Sequence, residues 1–113
     1  MPTDRASGVV LVVEDPFVRV YLRTLLTRHG YAVVGAEPQH GIDLITSGEL
    51  KPDVLITNTP NLFDRFAQEI PVLYLAACPD PDLAARFRSC RVLQKPFHPD
   101  RCLAAVEELA GSL

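Results

Sequence analysis

Long apolar runs are missing from this sequence. The apolar stretch Val9 to Val13 is too short for a membrane span or a secretion-signal core, and Met1 to Ser7 before it is polar. The expectation is a cytoplasmic protein of bacterial type with no membrane partner. A basic excess is missing too. Lys and Arg total 11 against 14 Asp and Glu, a net charge of -3, which leaves no electrostatic footprint for direct contact with nucleic acid. Metal-ligand spacing is absent: Cys78, Cys90 and Cys102 are odd in number and far apart, no Cys-x-x-Cys occurs, and His29, His40 and His98 form no ligand pattern. The cysteines are expected to be reduced thiols, mostly packed. There is also no Gly-x-Gly-x-x-Gly, no Walker-type loop and no nucleophile–base pairing, so a small enzyme or cofactor binder has little support.

What is present is one domain's worth of alternating strand and helix patterns. The chain has 113 residues, 48% of them hydrophobic. Val9 to Val13 is β-branched and apolar on both faces, as a central parallel strand is. Asp15-Pro16 supplies a cap and a first-turn proline. Val18, Tyr21, Leu22, Leu25 and Leu26 then share one helical face up to the closing His29-Gly30. A second strand is predicted over Tyr31–Val34 and a helix near Gln39–Ser47 with Ile42 and Ile45 inward. Val54–Thr57 reads as the third strand, and Leu62–Glu69 as a short helix with Leu62, Phe63 and Phe66 apolar. Pro71–Ala76 is the fourth strand, and Asp80-Pro81 opens a helix carrying Leu83 and Phe87. Arg91–Gln94 is a short fifth strand. The last helix covers about Pro99–Ala110, with Leu103, Val106 and Ala110 on one face. The fold class is α/β: five βα units in a flavodoxin-like parallel sheet of order 2-1-3-4-5, spanning residues 8–110, with flexible ends at 1–7 and 111–113. In such sheets ligands bind beyond the carboxyl ends of the strands.

Two clusters stand at those ends. Glu14-Asp15 follows the first strand and offers the hard oxygen ligands that Mg²⁺ takes; alternatively Asp15 only caps the helix and Glu14 is solvated. Lys95-Pro96-Phe97 follows the fifth strand. The lysine can reach a phosphoryl oxygen or a carboxylate, or simply sit at the surface before a turn, and Pro96 admits a cis bond. An apolar strand ending in Glu-Asp, Pro52-Asp53 opening the third strand, and Lys-Pro-Phe after the fifth together resemble the receiver domains of response regulators, the CheY-like family. The likeness covers roughly residues 8–110. Val33–Ala36, and Arg86–Arg88 with Val92–Phe97, look most like alphaproteobacterial single-domain receivers. In that family an acidic pair and an acceptor Asp hold Mg²⁺, and the Asp takes a phosphoryl group. A Ser or Thr ending the fourth strand and the lysine then bind that group, and an aromatic residue on the fifth strand follows the movement.

Carried over by position, Glu14, Asp15 and Lys95 match, with Pro96 after the lysine. Asn58 stands at the acceptor position. An amide is neutral and its nitrogen lone pair is delocalised, so it is no nucleophile at phosphorus, and Mg²⁺ binding, if any, becomes weak. Ala76 replaces the Ser/Thr, and Val92 replaces the aromatic three positions before Lys95. The stretch from Asn58 to Pro71 is short for the family, so the third helix is expected to be cut back. Without an acceptor carboxylate, Lys95 is expected to turn to Asp15 or Glu14 and form a compact ion cluster.

The resemblance implies a pseudo-receiver of a two-component phosphorelay: not an enzyme, requiring no cofactor, and acting by protein contact. Its implied partners are a histidine kinase or another signalling protein. A homodimer through the fourth helix, fifth strand and fifth helix is the other implied contact, with Arg86, Phe87, Arg88 and Arg101 as candidate contact residues; Phe87 also fits a core position by its spacing from Leu83. The alternatives are a true phosphoacceptor receiver, if residue 58 is an engineered Asn or another carboxylate such as Asp53 or Asp64 serves, and, remotely, a flavodoxin-like cofactor binder.

Overall fold

The computed structural model describes residues 8–111; the ends expected to be flexible otherwise lie outside the described residues. Five strands form one parallel sheet: β1 (Val9–Val13), β2 (Ala32–Gly35), β3 (Val54–Thr57), β4 (Val72–Ala76) and β5 (Cys90–Gln94), in the order β2-β1-β3-β4-β5. Between them run α1 (Pro16–Thr27), α2 (Pro38–Thr46), a 3-10 segment (Pro60–Phe66), α3 (Pro81–Ala85) and, after β5, α4 (Pro99–Ala110).

The strands alternate their side chains between two cores. Val10, Val12, Val54, Ile56, Leu73 and Leu75 face Leu22 and Leu26 of α1 and Cys102, Val106 and Leu109 of α4. Leu11, Val13, Leu55, Val72 and Tyr74 face Phe63, Phe66 and Phe87 on the other side. Each fully buried Leu, Ile or Phe among them contributes about 1.5–3 kcal/mol. The Asp53 carboxylate accepts from the Val9 N–H at 2.7 Å, which ties the start of β3 to the start of β1. That is the structural use of the Pro-Asp step.

Asp15 caps α1 by accepting from the Val18 N–H, Pro16 fills the first turn, and Gly30 takes the positive φ (92°) that lets the chain turn into β2. Where the sequence suggests an α-helix over Leu62–Glu69, the chain makes a 3-10 segment with a kink at Phe63. Positions i and i+3 eclipse in that geometry, so Phe63 and Phe66 both enter the core while Leu62 is left exposed. α3 is only five residues long. Phe87 lies past its end yet is buried, which corrects its candidacy as a contact residue: the ring is part of the core.

In α4 the buried stripe is Cys102, Ala105, Val106 and Leu109, with Leu103 and Ala110 at its margins. The cysteines divide differently from expectation: Cys102 is buried, Cys90 half-buried and Cys78 exposed. Burial pushes the Cys90 and Cys102 thiols up to about 11, so both are poor nucleophiles. Among the described residues no helix is long and apolar enough to cross a membrane.

Candidate functional site at the carboxyl ends of the strands

Parallel pairing decides what meets at this edge. Val13 is in register with Thr57, so the residues that follow, Glu14 and Asn58, leave the sheet side by side. Ala76 pairs with Gln94, and the Lys95 N–H donates to the Ala76 carbonyl at 2.8 Å. The turn after β5 therefore starts against the end of β4. From there the Lys95 Nζ reaches Glu14 Oε1 at 3.0 Å, spanning the ends of β4 and β3. The Lys95–Pro96 peptide bond is cis.

Glu14 is the unusual member. Its side chain has no exposed surface, and one oxygen, Oε2, is buried without a hydrogen-bond partner among the described residues. Burial pushes its carboxyl above the ordinary value, against the opposing pull of the Lys95 hydrogen bond and charge; the Asp15 carboxylate adds to the rise. Asp15 stays exposed and its oxygen is engaged by the α1 cap, so the expected ion cluster is one Glu14–Lys95 pair.

The neighbouring positions are plainer. Asn58 is exposed, Ala76 is half-buried, and Val92 on β5 is 41% exposed with no aromatic ring to swing. The buried Thr57 hydroxyl accepts from the Thr59 N–H at 3.0 Å and lies 3.3 Å from the Thr59 hydroxyl, a local turn that fixes the backbone around Asn58. The Thr-x-Thr spacing was the available signal for it. Magnesium does not fit this donor set as arranged. Among the described residues no group of three or more acidic, His or Cys side chains converges, Glu14 holds an ammonium, and Asn58 brings no charge.

Beside the site lies an apolar surface that takes in Tyr21, which helical periodicity grouped with Leu22 and Leu26. Tyr21 is at the exposed margin of α1, its ring 6.3 Å from that of Phe97. Phe17 and Val20 are 85% and 68% exposed. With Val18, Ala77, Lys95 and Pro96, the rings of Phe17, Tyr21 and Phe97 line an open apolar groove of about 510 Å³. On the opposite flank Arg86 is bound to Asp64 at 2.7 Å, and Arg88 and Arg101 are exposed.

Solved structures of similar shape are mostly response-regulator receiver domains. The apo receiver domain of nitrogen regulatory protein C is 26% identical, with 94% of this chain and 96% of that one covered and a TM-score of 0.76. A response regulator receiver protein from Burkholderia phymatum is 27% identical, with 93% and 98% covered and a TM-score of 0.71. The signal receiver domain of an HD domain-containing protein from Pseudomonas fluorescens Pf-5 is 21% identical, with 97% and 91% covered and a TM-score of 0.77. No family model and no curated protein matches the sequence. The receiver resemblance drawn from the residues is thus supported by the fold of almost the whole chain, and it supports a signalling module of the two-component type.

Proposed function

We propose that this chain is a pseudo-receiver: a signalling module that binds a partner protein in one fixed state and does not take up a phosphoryl group on Asn58. The observation that carries this reading is the Glu14–Lys95 contact at 3.0 Å beside an amide and a methyl. A phosphoryl group needs a carboxylate to accept it and donors to hold it. At this edge the nearest polar side chain at the acceptor position is neutral, the hydroxyl position is Ala76, and the lysine is already engaged with a buried carboxylate. The alternative acceptors are occupied elsewhere: Asp53 holds the Val9 N–H and Asp64 holds Arg86.

Protein contact is the remaining mode of action, and the α1 face suits it. Phe17, Val20 and Tyr21 stand out from a helix that also carries exposed Arg23 and is followed by exposed Arg28, while Arg19 is paired with Glu37 at 3.6 Å. Exposed aromatic residues with arginine on the same helix are of the composition found in interface hot spots. A histidine kinase or another cytoplasmic signalling protein with an acidic docking face is the partner class. The deciding test is intact mass after incubation with Mg²⁺ and acetyl phosphate. No adduct is expected on this chain; a phosphoryl adduct would overturn the reading and direct mapping to its acceptor.

A further inference from the structure

Position 58 is neutral only while its amide survives. The chain has two asparagines, Asn58 and Asn61, and both are exposed. An asparagine in water is open to a slow reaction within its own chain. The backbone nitrogen of the next residue loses its proton to solvent base and attacks the side-chain Cγ. The new N–Cγ bond closes a five-membered imide, while the Cγ–Nδ2 bond breaks and the amide nitrogen leaves as ammonia. Water then opens the ring at either carbonyl and leaves aspartate or isoaspartate. At Asn58 the aspartate product would supply the carboxylate that the position lacks.

The attacking atom would be the Thr59 nitrogen, and it is held. Its N–H donates to Thr57 Oγ1 at 3.0 Å. That oxygen is fixed in place: Thr57 is fully buried, and it lies in register with Val13 of β1 on one side and Tyr74 of β4 on the other. Thr59 is held from its other end as well. Its carbonyl accepts from the Leu62 N–H at 3.1 Å, and its hydroxyl lies 3.3 Å from that of Thr57. Pro60, the next residue, narrows the backbone choices of Thr59 further. To reach Cγ, the nitrogen must give up both its proton and a part-buried hydrogen bond.

The amide group has no such restraint. Among the described residues the Asn58 side chain makes no hydrogen bond. Its protection therefore lies on the backbone nitrogen one residue later. Asn61 is a comparison within the same chain. The nitrogen that would attack there belongs to Leu62, whose N–H goes to the Thr59 carbonyl in a 3-10 turn, with no side chain taking part.

We infer that the Thr57 hydroxyl guards Asn58 against deamidation, so that the strand which delivers the amide to the sheet edge also keeps it an amide. This goes beyond the pseudo-receiver reading and does not depend on it. Peptide mass mapping of the full chain, after long incubation at mildly alkaline pH, reads the two asparagines separately. Thr57→Val removes the hydroxyl and is expected to speed deamidation at Asn58 about fivefold, the factor one hydrogen bond is worth, with Asn61 unchanged. Thr57→Ser keeps a hydroxyl and is expected to stay near the native rate. A Thr57→Val chain that deamidates no faster at Asn58 would overturn the inference, as would a Thr57→Ser chain as fast as Thr57→Val. A variant that unfolds would speed both asparagines alike, and the native chain then decides through hydrogen exchange. Its Thr59 amide is expected to be protected from solvent. Exchange of that amide at the rate of an open chain would overturn the inference.

Discussion

At one edge of this sheet, neighbouring strand ends have opposite characters. β1 and β5 are followed by Glu14 and Lys95, which meet at 3.0 Å, with the Glu14 side chain fully enclosed. Between them lie β3, followed by Asn58, and β4, ending in Ala76: an amide and a methyl. The charged half ties two loops together, whereas the neutral half carries no carboxylate and no hydroxyl at Asn58 and Ala76. The two halves differ in what a substitution would cost: removing one partner of the Glu14–Lys95 pair leaves a buried charge uncompensated, and Asn58 and Ala76 carry no such charge.

Removing the lysine breaks this contrast most severely. Lys95→Ala strips the partner from an enclosed carboxylate and is expected to cost about 2–3 kcal/mol in urea unfolding at neutral pH, less than a fully buried pair because Lys95 is a quarter exposed. Asn58→Asp makes the neutral half charged. Without metal it is expected to lose about 1 kcal/mol by crowding Glu14. Millimolar Mg²⁺ should return that loss and raise the melting temperature, since a third acidic side chain then stands at the edge. A variant indifferent to Mg²⁺ would show that Lys95 closes the site for good.

The Glu14 carboxyl allows a pH test. Its folded pKa lies above the ordinary 4.5, so the folded chain keeps that proton where the unfolded chain has lost it. The associated stability is fully present below pH 4.5 and is lost as pH rises through the folded value. Glu14→Gln is expected to remove that decline; unfolding curves at steps from pH 4 to pH 7 would settle it, and a wild-type chain that gains on the variant as pH rises would contradict the sign. The smallest effect belongs to Ala76→Thr. By itself it is expected to change stability by no more than about 0.5 kcal/mol, and only with Asn58→Asp to increase the phosphoryl adduct formed from acetyl phosphate.

Much of the frame was legible along the chain because its signals are local. The β-branched run Val9–Val13, the Asp15-Pro16 start, Val54–Thr57 and Pro99–Ala110 fall where periodicity and capping put them. The region from Pro60 to Arg88 was less legible. A proline start and two phenylalanines three apart read equally well as an α-helical turn or a 3-10 segment, and only the space above Leu55 and Val72 chose the latter. Tyr21 was misplaced for a related reason: an apolar stripe wider than the core beneath it leaves one edge in solvent, where Phe97 met it.

The sequence by itself determined the order of strands and helices, and it determined that position 58 carries an amide and position 76 a methyl, which are facts about side chains that no folding changes. Tertiary structure decided the rest. Lys95 took Glu14, 81 positions away, while Asp15 turned to its helix. Phe87 went inside, and β5 was left open at its edge. Each of these depends on distances across the sheet and on the volume each neighbour fills, which are set only once all five strands are side by side.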